Sequence, residues 1–125
     1  MSSQPWLGKP RWNGRKVNID LNNALLPIVN NEAFCIQIEG CDNFFMLLFS
    51  TEEQLRTVMA HLQKKIGFRD YRVKVVTDPQ DFMKSIIDLG VRIMLNPQIV
   101  NDHHTKWLEV IRDGDEIFYF EPEVN

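Results

Sequence analysis

The sequence predicts a single α+β domain with a mixed β-sheet and two main helices, in the order β-β-α-β-α-β-β-β. Three observations predict this fold class. Between residues 44 and 97, apolar runs of strand length alternate with two segments of helix length. Each of those two segments begins with a helix-capping signal and ends at a glycine. An Asp-Gly turn near the C-terminus then indicates an antiparallel hairpin, so the sheet contains both kinds of strand pair.

Length and composition fit one ordinary soluble domain. The chain has 125 residues, of which 44% are hydrophobic and 25% charged, so wholesale disorder is not expected. The longest apolar run, residues 44–49, is far shorter than the roughly 20 residues of a membrane span, and residues 1–16 have no signal-like apolar core. Cys35 and Cys41 fit two reduced thiols. We therefore expect a cytoplasmic protein.

Residues 1–16 are predicted to form an arm, and residues 17–125 the single domain. Two prolines and two glycines interrupt the arm, which carries four cations and no acid. The arm also contains Trp6 and Trp12, which are expected to pack on the domain or to contact a partner, because tryptophan is rarely left in water. The whole chain has a formal charge of −3, so neither nucleic acid nor membrane is a predicted partner.

The first part of the domain is predicted to lead into a hairpin. Residues 17–31 are rich in asparagine, with an apolar centre ahead of Pro27, and favour a short helix or a turn. Residues 33–39 alternate between apolar and polar side chains, which is typical of a half-buried strand. Residues 44–49 are apolar throughout, which is typical of a strand covered on both faces.

Both helices have start and stop signals. Ser50 and Glu53 form a capping box ahead of the first helix, which Gly67 ends. Asp78 is the predicted N-cap of the second helix, which Gly90 ends. Apolar residues recur at helical spacing in both segments. The predicted buried positions are Leu55, Val58, Met59, Leu62 and Ile66 in the first helix, and Phe82, Met83, Ile86, Ile87 and Leu89 in the second.

Four further segments complete the predicted sheet. Residues 71–76 alternate, with Val75 among the side chains expected to face inward, and residues 91–95 form a buried strand that ends at an Asn-Pro pair. Residues 107–111 and 116–120 flank the Asp-Gly turn as an antiparallel hairpin. Because the two helices cross over between three strands, those strands are expected to be parallel wherever they are neighbours.

Two motifs carry a family resemblance. Residues 49–55 read Phe-Ser-Thr-Glu-Glu-Gln-Leu, and residues 90–97 read Gly-Val-Arg-Ile-Met-Leu-Asn-Pro. In this order and spacing they resemble the N-terminal domain family of SseB, the bacterial serine-sensitivity protein, over about residues 33–98. The resemblance implies a bacterial, cytoplasmic, non-enzymatic domain and transfers no active-site residue. The chain departs from the family in its tryptophan-containing arm and has no second domain of this type.

The sequence contains no arrangement that indicates catalysis. Glycine-rich nucleotide-binding loops and the Gly-x-Ser-x-Gly nucleophile motif are absent, and neither cysteine has a neighbouring base. Asp102, His103 and His104 are the densest group of metal-type ligands. Adjacent histidines on a strand point to opposite faces, so a solvated loop is favoured over a metal site. We therefore predict no catalytic residue, no metal and no cofactor.

The arm and the C-terminal hairpin are predicted surfaces for a protein partner, because the hairpin is both aromatic and acidic. The favoured function is a non-catalytic bacterial protein-interaction domain with an accessory or regulatory role, and an immunity-type inhibitor of a basic toxin is a specific alternative. Self-association through a sheet edge or the arm is also considered. The predicted partner-binding residues are Trp6, Trp12, Trp107, Glu109, Asp113, Asp115 and Tyr119.

A small-molecule-binding protein or enzyme is the alternative from another class. Open sheets bind ligands at the C-terminal ends of parallel strands. The candidate ligand-binding residues at and near those ends are Thr77, Asn96, His103 and His104. A pocket lined by these residues would favour a ligand, whereas a flat apolar patch on the hairpin would favour a protein partner.

Overall fold

The computed structural model describes residues 14–37, 44–101 and 104–122. The predicted fold class is confirmed, because a mixed sheet and two main helices form one α+β domain. The predicted order corresponds to β4 through β9 with both helices, and three short strands precede it. In chain order the elements are β1 Gly14–Val17, β2 Ala24–Val29, β3 Glu32–Ala33, β4 Cys35–Gln37, β5 Phe44–Leu48, α1 Glu52–Ile66, β6 Arg72–Val76, α2 Pro79–Asp88, β7 Arg92–Asn101, β8 His104–Asp113 and β9 Glu116–Pro122.

The larger sheet has six strands in the order β1-β9-β8-β7-β5-β4. β5 and β7 are parallel, from Phe45 opposite Arg92 to Leu48 opposite Leu95, and the other described pairs of this sheet are antiparallel. The prediction that the apolar run of β5 lies inside the sheet is confirmed, since β5 has a neighbour on each side and a core on each face.

The two helices cover opposite faces of this sheet, so the domain has two cores. Alternation along β5 and β7 sends successive side chains to opposite faces, which gives each helix an apolar surface to cover. Buried residues of the α2-side core are Ala24, Leu26, Met46, Leu48, Val76, Met83, Ile93, Leu95, Val110 and Tyr119. Buried residues of the α1-side core are Phe34, Phe45, Leu47, Phe49, Leu55, Val58, Met59 and Met94.

β6 does not join the larger sheet, so only β5 and β7 are parallel neighbours among the three strands that the helices connect. β6 instead pairs antiparallel with β2 in a smaller sheet of order β3-β2-β6. Val76 is buried in the α2-side core and Val73 packs against the α1-side core, while Val75 is 53% exposed. Leu25 and Phe49 exchange backbone hydrogen bonds of 2.7 and 3.0 Å, which join the smaller sheet to the end of β5.

The prediction of a helix or turn over residues 17–31 is wrong, since β2 and β3 form a hairpin there. Its turn residues Asn30 and Asn31 have φ angles of 53° and 65°, the left-handed conformation that two-residue hairpin turns require and asparagine tolerates. Proline is tolerated at position 27 of β2 because its backbone carbonyl faces β3, a strand of only two residues. This carbonyl accepts the N–H of Phe34 at 2.9 Å. The N–H that proline lacks would face that side too, so the pairing of β2 with β6 is not interrupted.

The strand boundaries also differ from the prediction at several places. Residues 33–39 were expected to form one strand, but the chain passes at Phe34 from β3 in the smaller sheet to β4 in the larger one. The β4–β5 hairpin pairing is confirmed, with Gln37 opposite Phe44. The hairpin around Gly114 is confirmed as well, and its strands are longer than predicted, from His104 to Pro122.

Three predicted core positions are exposed: Ile66 at 57%, Val75 at 53% and Leu89 at 75%. Ile66 is the last residue of α1 and Leu89 is the C-cap of α2, so each lies at the end of its helix. The predicted stop signals are confirmed by the left-handed φ angles of Gly67 and Gly90, 93° and 87°.

Residues 14–16, the last part of the predicted arm, belong to β1, which pairs with β9 from Gly14 opposite Pro122 to Val17 opposite Tyr119. Residues 1–13, with Trp6 and Trp12, lie outside the described residues. Neither α1 nor α2 combines the length and the apolar character that a membrane-crossing helix requires.

Candidate functional site

The parallel pairing of β5 with β7 ends at Leu48 opposite Leu95, and Asn96 links the two chains just beyond it. Its side-chain Oδ1 accepts the backbone N–H of Ser50 at 2.8 Å, and its Nδ2 donates to Oγ of Ser50 at 2.9 Å. Nε2 of Gln54 donates to the carbonyl of Asn96 at 3.2 Å. Asn96 itself has a left-handed φ of 54°. One residue therefore fastens β7 to the end of β5 through its side chain and to the first turn of α1 through its backbone carbonyl.

The same contacts explain why the predicted helix cap is displaced by one residue. Thr51 is the N-cap of α1, and its Oγ1 accepts the N–H of Gln54 at 3.3 Å. Ser50 was predicted for this role, but both its N–H and its hydroxyl are bonded to Asn96. The predicted cap of the second helix is confirmed, since the carboxylate of Asp78 accepts the N–H of Asp81 at 3.5 Å.

β7 does not end at the Asn-Pro pair, as predicted, but continues to Asn101 with a bulge. Leu95 lies opposite Leu108 and Gln98 opposite Lys106, so β7 uses three residues where β8 uses two. A bulge of this kind bends a strand and increases its twist. The second half of β7, residues 97–101, consequently lies alongside α1, where Pro97 and Ile99 face the helix across a groove.

This groove, termed the α1–β7 groove, has two halves that share Val58, His61, Pro97 and Ile99. The polar half has a volume of about 460 Å³ and the apolar half one of about 300 Å³. The remaining lining residues of the polar half are Thr51, Glu53, Gln54, Thr57 and Gln98. Those of the apolar half are Ile36, Gln37, Leu47, Leu62, Lys65, Ile66, Met94, Asn101 and Thr105.

α1 builds one wall of the groove with a stripe of polar residues. Gln54, Thr57, His61 and Lys65 recur at intervals of three and four, which places them along one side of the helix, next to the buried stripe. The groove therefore lies where the buried face of α1 meets its solvated face.

Charge is distributed unequally between the two halves. Lys65 is the only charged residue in the described lining of the apolar half, and it has no ion-pair partner among the residues that the structure describes. Glu53 is the only charged residue in the described lining of the polar half. Because the described lining of the apolar half contains Lys65 and no carboxylate, these residues favour negative charge over positive charge at that end of the groove.

Of the residues predicted for a small-molecule site, the structure describes the side chains of Thr77 and Asn96, and neither lines the groove. Thr77 is exposed at the end of β6 in the smaller sheet and does not line the groove. The side chain of Asn96 is bonded to Ser50. His103 lies outside the described residues, and His104 is described only as the first residue of β8. The groove nevertheless borders one predicted location, the ends of the parallel strands β5 and β7.

Of the five hairpin residues predicted to contact a partner, Asp113 and Asp115 alone are exposed. Glu109 is fully buried, and Tyr119 is 5% exposed in the α2-side core. Trp107 is half-buried and packs edge-on against Phe45, with ring centroids 6.1 Å apart. Strand alternation directs these three side chains to the faces of the sheet, so neither Glu109 nor Tyr119 is available to a partner.

An ion pair inside the domain accounts for the buried Glu109. Nε and one terminal nitrogen of Arg92 donate to its two carboxylate oxygens at 2.7 and 2.6 Å. The guanidinium carbon of Arg92 also lies 4.4 Å from the centroid of the Phe45 ring, a cation–π contact. The pair joins β7 to β8 just before the bulge, where it stabilises the framework of the groove.

The described residues contain no arrangement that indicates catalysis. No group of three or more His, Cys, Asp or Glu side chains in this part of the chain is placed to hold a metal ion. Burial, followed by the negative charge of Glu32, raises the pKa of the Cys35 thiol, which disfavours the reactive thiolate. Asp102 and Cys41 lie outside the described residues, so the predictions that concern them remain predictions.

The groove is not predicted from the sequence, although one of its two walls has a recognisable pattern. The polar stripe from Gln54 to Lys65 has helical spacing beside the buried stripe, and could have been recognised as a boundary surface. The opposite wall had no comparable signal. Pro97 interrupts the strand pattern, so residues 97–101 do not resemble the continuation of β7.

Comparison with protein-family models, with curated proteins and with solved structures finds no match for this chain. The resemblance to the SseB N-terminal domain family therefore stays a prediction.

Proposed function

We propose that this chain is a non-catalytic protein-interaction domain that binds an extended segment of a partner in the α1–β7 groove. The observation that carries the proposal is the length of this open groove, which follows α1 from Thr51 to Ile66. At 1.5 Å per helical residue this distance is about 22 Å. An extended chain advances about 3.3 Å per residue, so roughly six or seven residues fit along it.

The open shape favours a peptide segment over a compact molecule. Small-molecule sites usually enclose most of the ligand surface, whereas both halves of this groove are open to solvent along one side. An extended peptide suits such a shape, because alternate side chains enter the groove while the others remain in water.

The two halves supply affinity and specificity in different ways. In the apolar half, Leu62, Met94 and Ile99 can bury an apolar side chain of the partner, which contributes roughly 25 cal/mol per Å² of apolar surface removed from water. In the polar half, Thr57 and Gln98 offer hydrogen-bonding groups to the partner backbone.

The proposal is tested with a random twelve-residue peptide library displayed on phage and selected on the full chain. Enriched peptides are synthesised, and their dissociation constants are measured by fluorescence anisotropy. Thr57→Trp places a large ring in the groove, and His61→Trp does so where the two halves meet. Ala60→Trp is the matched control, because Ala60 is an exposed residue of α1 that does not line the groove.

We expect Thr57→Trp and His61→Trp to weaken peptide binding at least about tenfold, a loss of about 1.4 kcal/mol, while Ala60→Trp leaves it unchanged. Circular dichroism establishes that the three variants are folded. The proposal is rejected if no peptide is enriched, or if the enriched peptides bind all three variants as tightly as they bind the unsubstituted chain.

A small apolar ligand in the apolar half is the second candidate. The favouring observation is its volume of about 300 Å³, which reaches the lower limit of known ligand sites, above a floor that includes Leu47 and Met94. Such a ligand would perturb methyl resonances in this half in a fragment screen by NMR, with no enrichment of peptides. That pair of results would replace the first candidate with this one.

An immunity-type inhibitor of a basic toxin stays a prediction, and the hairpin is where it would be tested. Asp113 and Asp115 are the exposed acids of the β8–β9 turn. If a partner bound there, reversing both charges with Asp113→Lys and Asp115→Lys would abolish binding that Thr57→Trp leaves intact. Groove binding predicts instead that Thr57→Trp weakens binding and that the two charge reversals leave it unchanged.

A further inference from the structure

A basic surface lies at the end of α1, beside the apolar half of the groove. Lys64 and Lys65 are in the last turn of the helix, and Arg69 follows two residues after Gly67. Residues 64–76 contain five cations and a single acid, Asp70, in a chain whose formal charge is −3. The basic character is therefore local and contrasts with the rest of the sequence.

The end of α1 divides these cations between two cavities. Gly67, with its left-handed φ of 93°, turns the chain at the end of α1. Nε2 of Gln63 then donates a hydrogen bond to the carbonyl of Arg69, which ties the following loop to the last turn of the helix. Lys65 lines the apolar half of the groove, whereas Arg69 lines a separate cavity with Asn31 and Tyr71, and neither has an ion-pair partner within the described ranges.

Structural roles explain only part of this cluster. Cations in the last turn of a helix offset its dipole, which accounts for Lys64 and Lys65. Charged residues on an edge strand prevent unwanted pairing, which accounts for Arg72 and Lys74 on β6. Arg69 belongs to neither element, and Lys65 also lines the apolar half of the groove.

We infer that the partner segment is acidic as well as apolar, and that its acidic residues lie beside Lys65, at the groove end of this basic surface. The inference rests on the proposed function and adds the chemical class of the partner. An apolar side chain in the apolar half places its neighbour beside Lys65, where a carboxylate is attracted and an ammonium group repelled. Glu53 repels acids at the opposite end, so the acidic residues belong at one end of the segment.

The test uses the tightest peptide from the phage selection and two synthetic versions of it. Both versions keep its apolar residues. All of the remaining positions are Asp in one version and Lys in the other. We expect the Asp version to bind more tightly than the Lys version. The difference should shrink when NaCl is raised from about 20 to about 200 mM, because salt screens charges at the surface.

The matched variants are Lys65→Glu and Lys84→Glu, a charge reversal at the groove and one on α2, which covers the opposite face of the sheet. Lys65→Glu should weaken binding of the Asp version about fivefold and improve binding of the Lys version, as expected for exposed charge pairs. Lys84→Glu should change neither. If Lys65→Glu lowers helix content, Lys65→Gln gives the same comparison with about half the effect.

The outcomes separate this inference from the proposed function. Equal affinity for the Asp and Lys versions, or preference for the Lys version, overturns the acidic character while groove binding stands. An Asp preference that Lys65→Glu leaves unchanged overturns the assignment to this basic surface. Failure of the selection to enrich any peptide rejects the proposed function itself, and the inference with it.

Discussion

The two halves of β7 have the same backbone partner, β8, but very different surroundings. The first half, residues 92–95, lies between β5 and β8 with a core on each face, and Ile93, Met94 and Leu95 are at most 1% exposed. The second half, residues 97–101, pairs with β8 but has left β5, and Val100 is 53% exposed. One strand therefore serves first as framework and then as the wall of a groove.

The change occurs at Asn96, where a left-handed residue and a bulge coincide. Beyond this point β5 no longer continues beside β7, because its chain turns into α1 at Thr51. A strand that loses one neighbour becomes an edge with unpaired backbone groups and free side chains. Binding surfaces commonly arise at such positions, next to a rigid core that holds them in place.

The largest expected effect comes from breaking the ion pair of the first half. Arg92→Met leaves the carboxylate of Glu109, which is fully buried, without its bidentate partner. Loss of one member of a buried pair costs about 3–5 kcal/mol of unfolding free energy. Urea unfolding followed by circular dichroism measures this loss. A loss below about 1 kcal/mol would show that the carboxylate finds water or another partner.

The double variant Arg92→Met with Glu109→Met is the control for that prediction. It removes both charges and leaves none buried alone, so most of the lost stability should return. A double variant as unstable as Arg92→Met would mean that packing around Arg92, including its contact with Phe45, matters more than charge.

Truncating one apolar side chain in each half compares them directly. Leu95→Ala should cost about 3 kcal/mol, because the side chain is completely buried and the cavity cannot collapse in a sheet covered on both faces. Ile99→Ala should cost about 1 kcal/mol, since Ile99 is half-buried at the groove. Equal losses in urea unfolding would contradict the division of β7 into framework and wall. Ile99→Ala should weaken peptide binding more than Leu95→Ala does, because Ile99 lines the groove.

Asn96, at the junction, should give an intermediate effect. Asn96→Ala removes the hydrogen bonds to Ser50 and places alanine at a φ of 54°, for a combined loss of about 2 kcal/mol. Asn96→Gly also removes the bonds but tolerates the backbone conformation, so its loss should be about 1 kcal/mol. If glycine destabilises the protein as much as alanine, backbone conformation contributes little at this junction.

The sequence predicted the framework far better than the groove. The fold class, the hairpins at Phe44 and Gly114, and the helix stops followed from local patterns that persist in the structure. The missed features depend on contacts between distant residues. Asn96 displaces the predicted cap by bonding Ser50, 46 residues away in the chain, and the groove brings α1 together with the part of β7 that follows the bulge.

Buried side chains required the same long-range information. Glu109 was predicted to contact a partner because an acid next to aromatic residues suggests a surface, and periodicity alone does not reveal that Arg92 meets it inside the domain. Leu89 was predicted to be buried because its spacing continues the stripe of α2, which ends one residue earlier. A pattern shows which residues share a face, whereas the neighbouring elements determine whether that face is covered.

The smallest expected effect concerns Tyr119, the titratable side chain of the α2-side core behind the first half of β7. Burial raises the pKa of its hydroxyl above the ordinary 10.0. The unfolded chain therefore loses this proton at lower pH than the folded chain does, and the free energy of unfolding falls as pH rises past that value. Urea unfolding at about pH 8 and about pH 10.5 should show a smaller fall for Tyr119→Phe than for the unsubstituted chain. Identical falls would mean that this hydroxyl reaches water in the folded state, and that the core behind the framework half is less closed than its burial indicates.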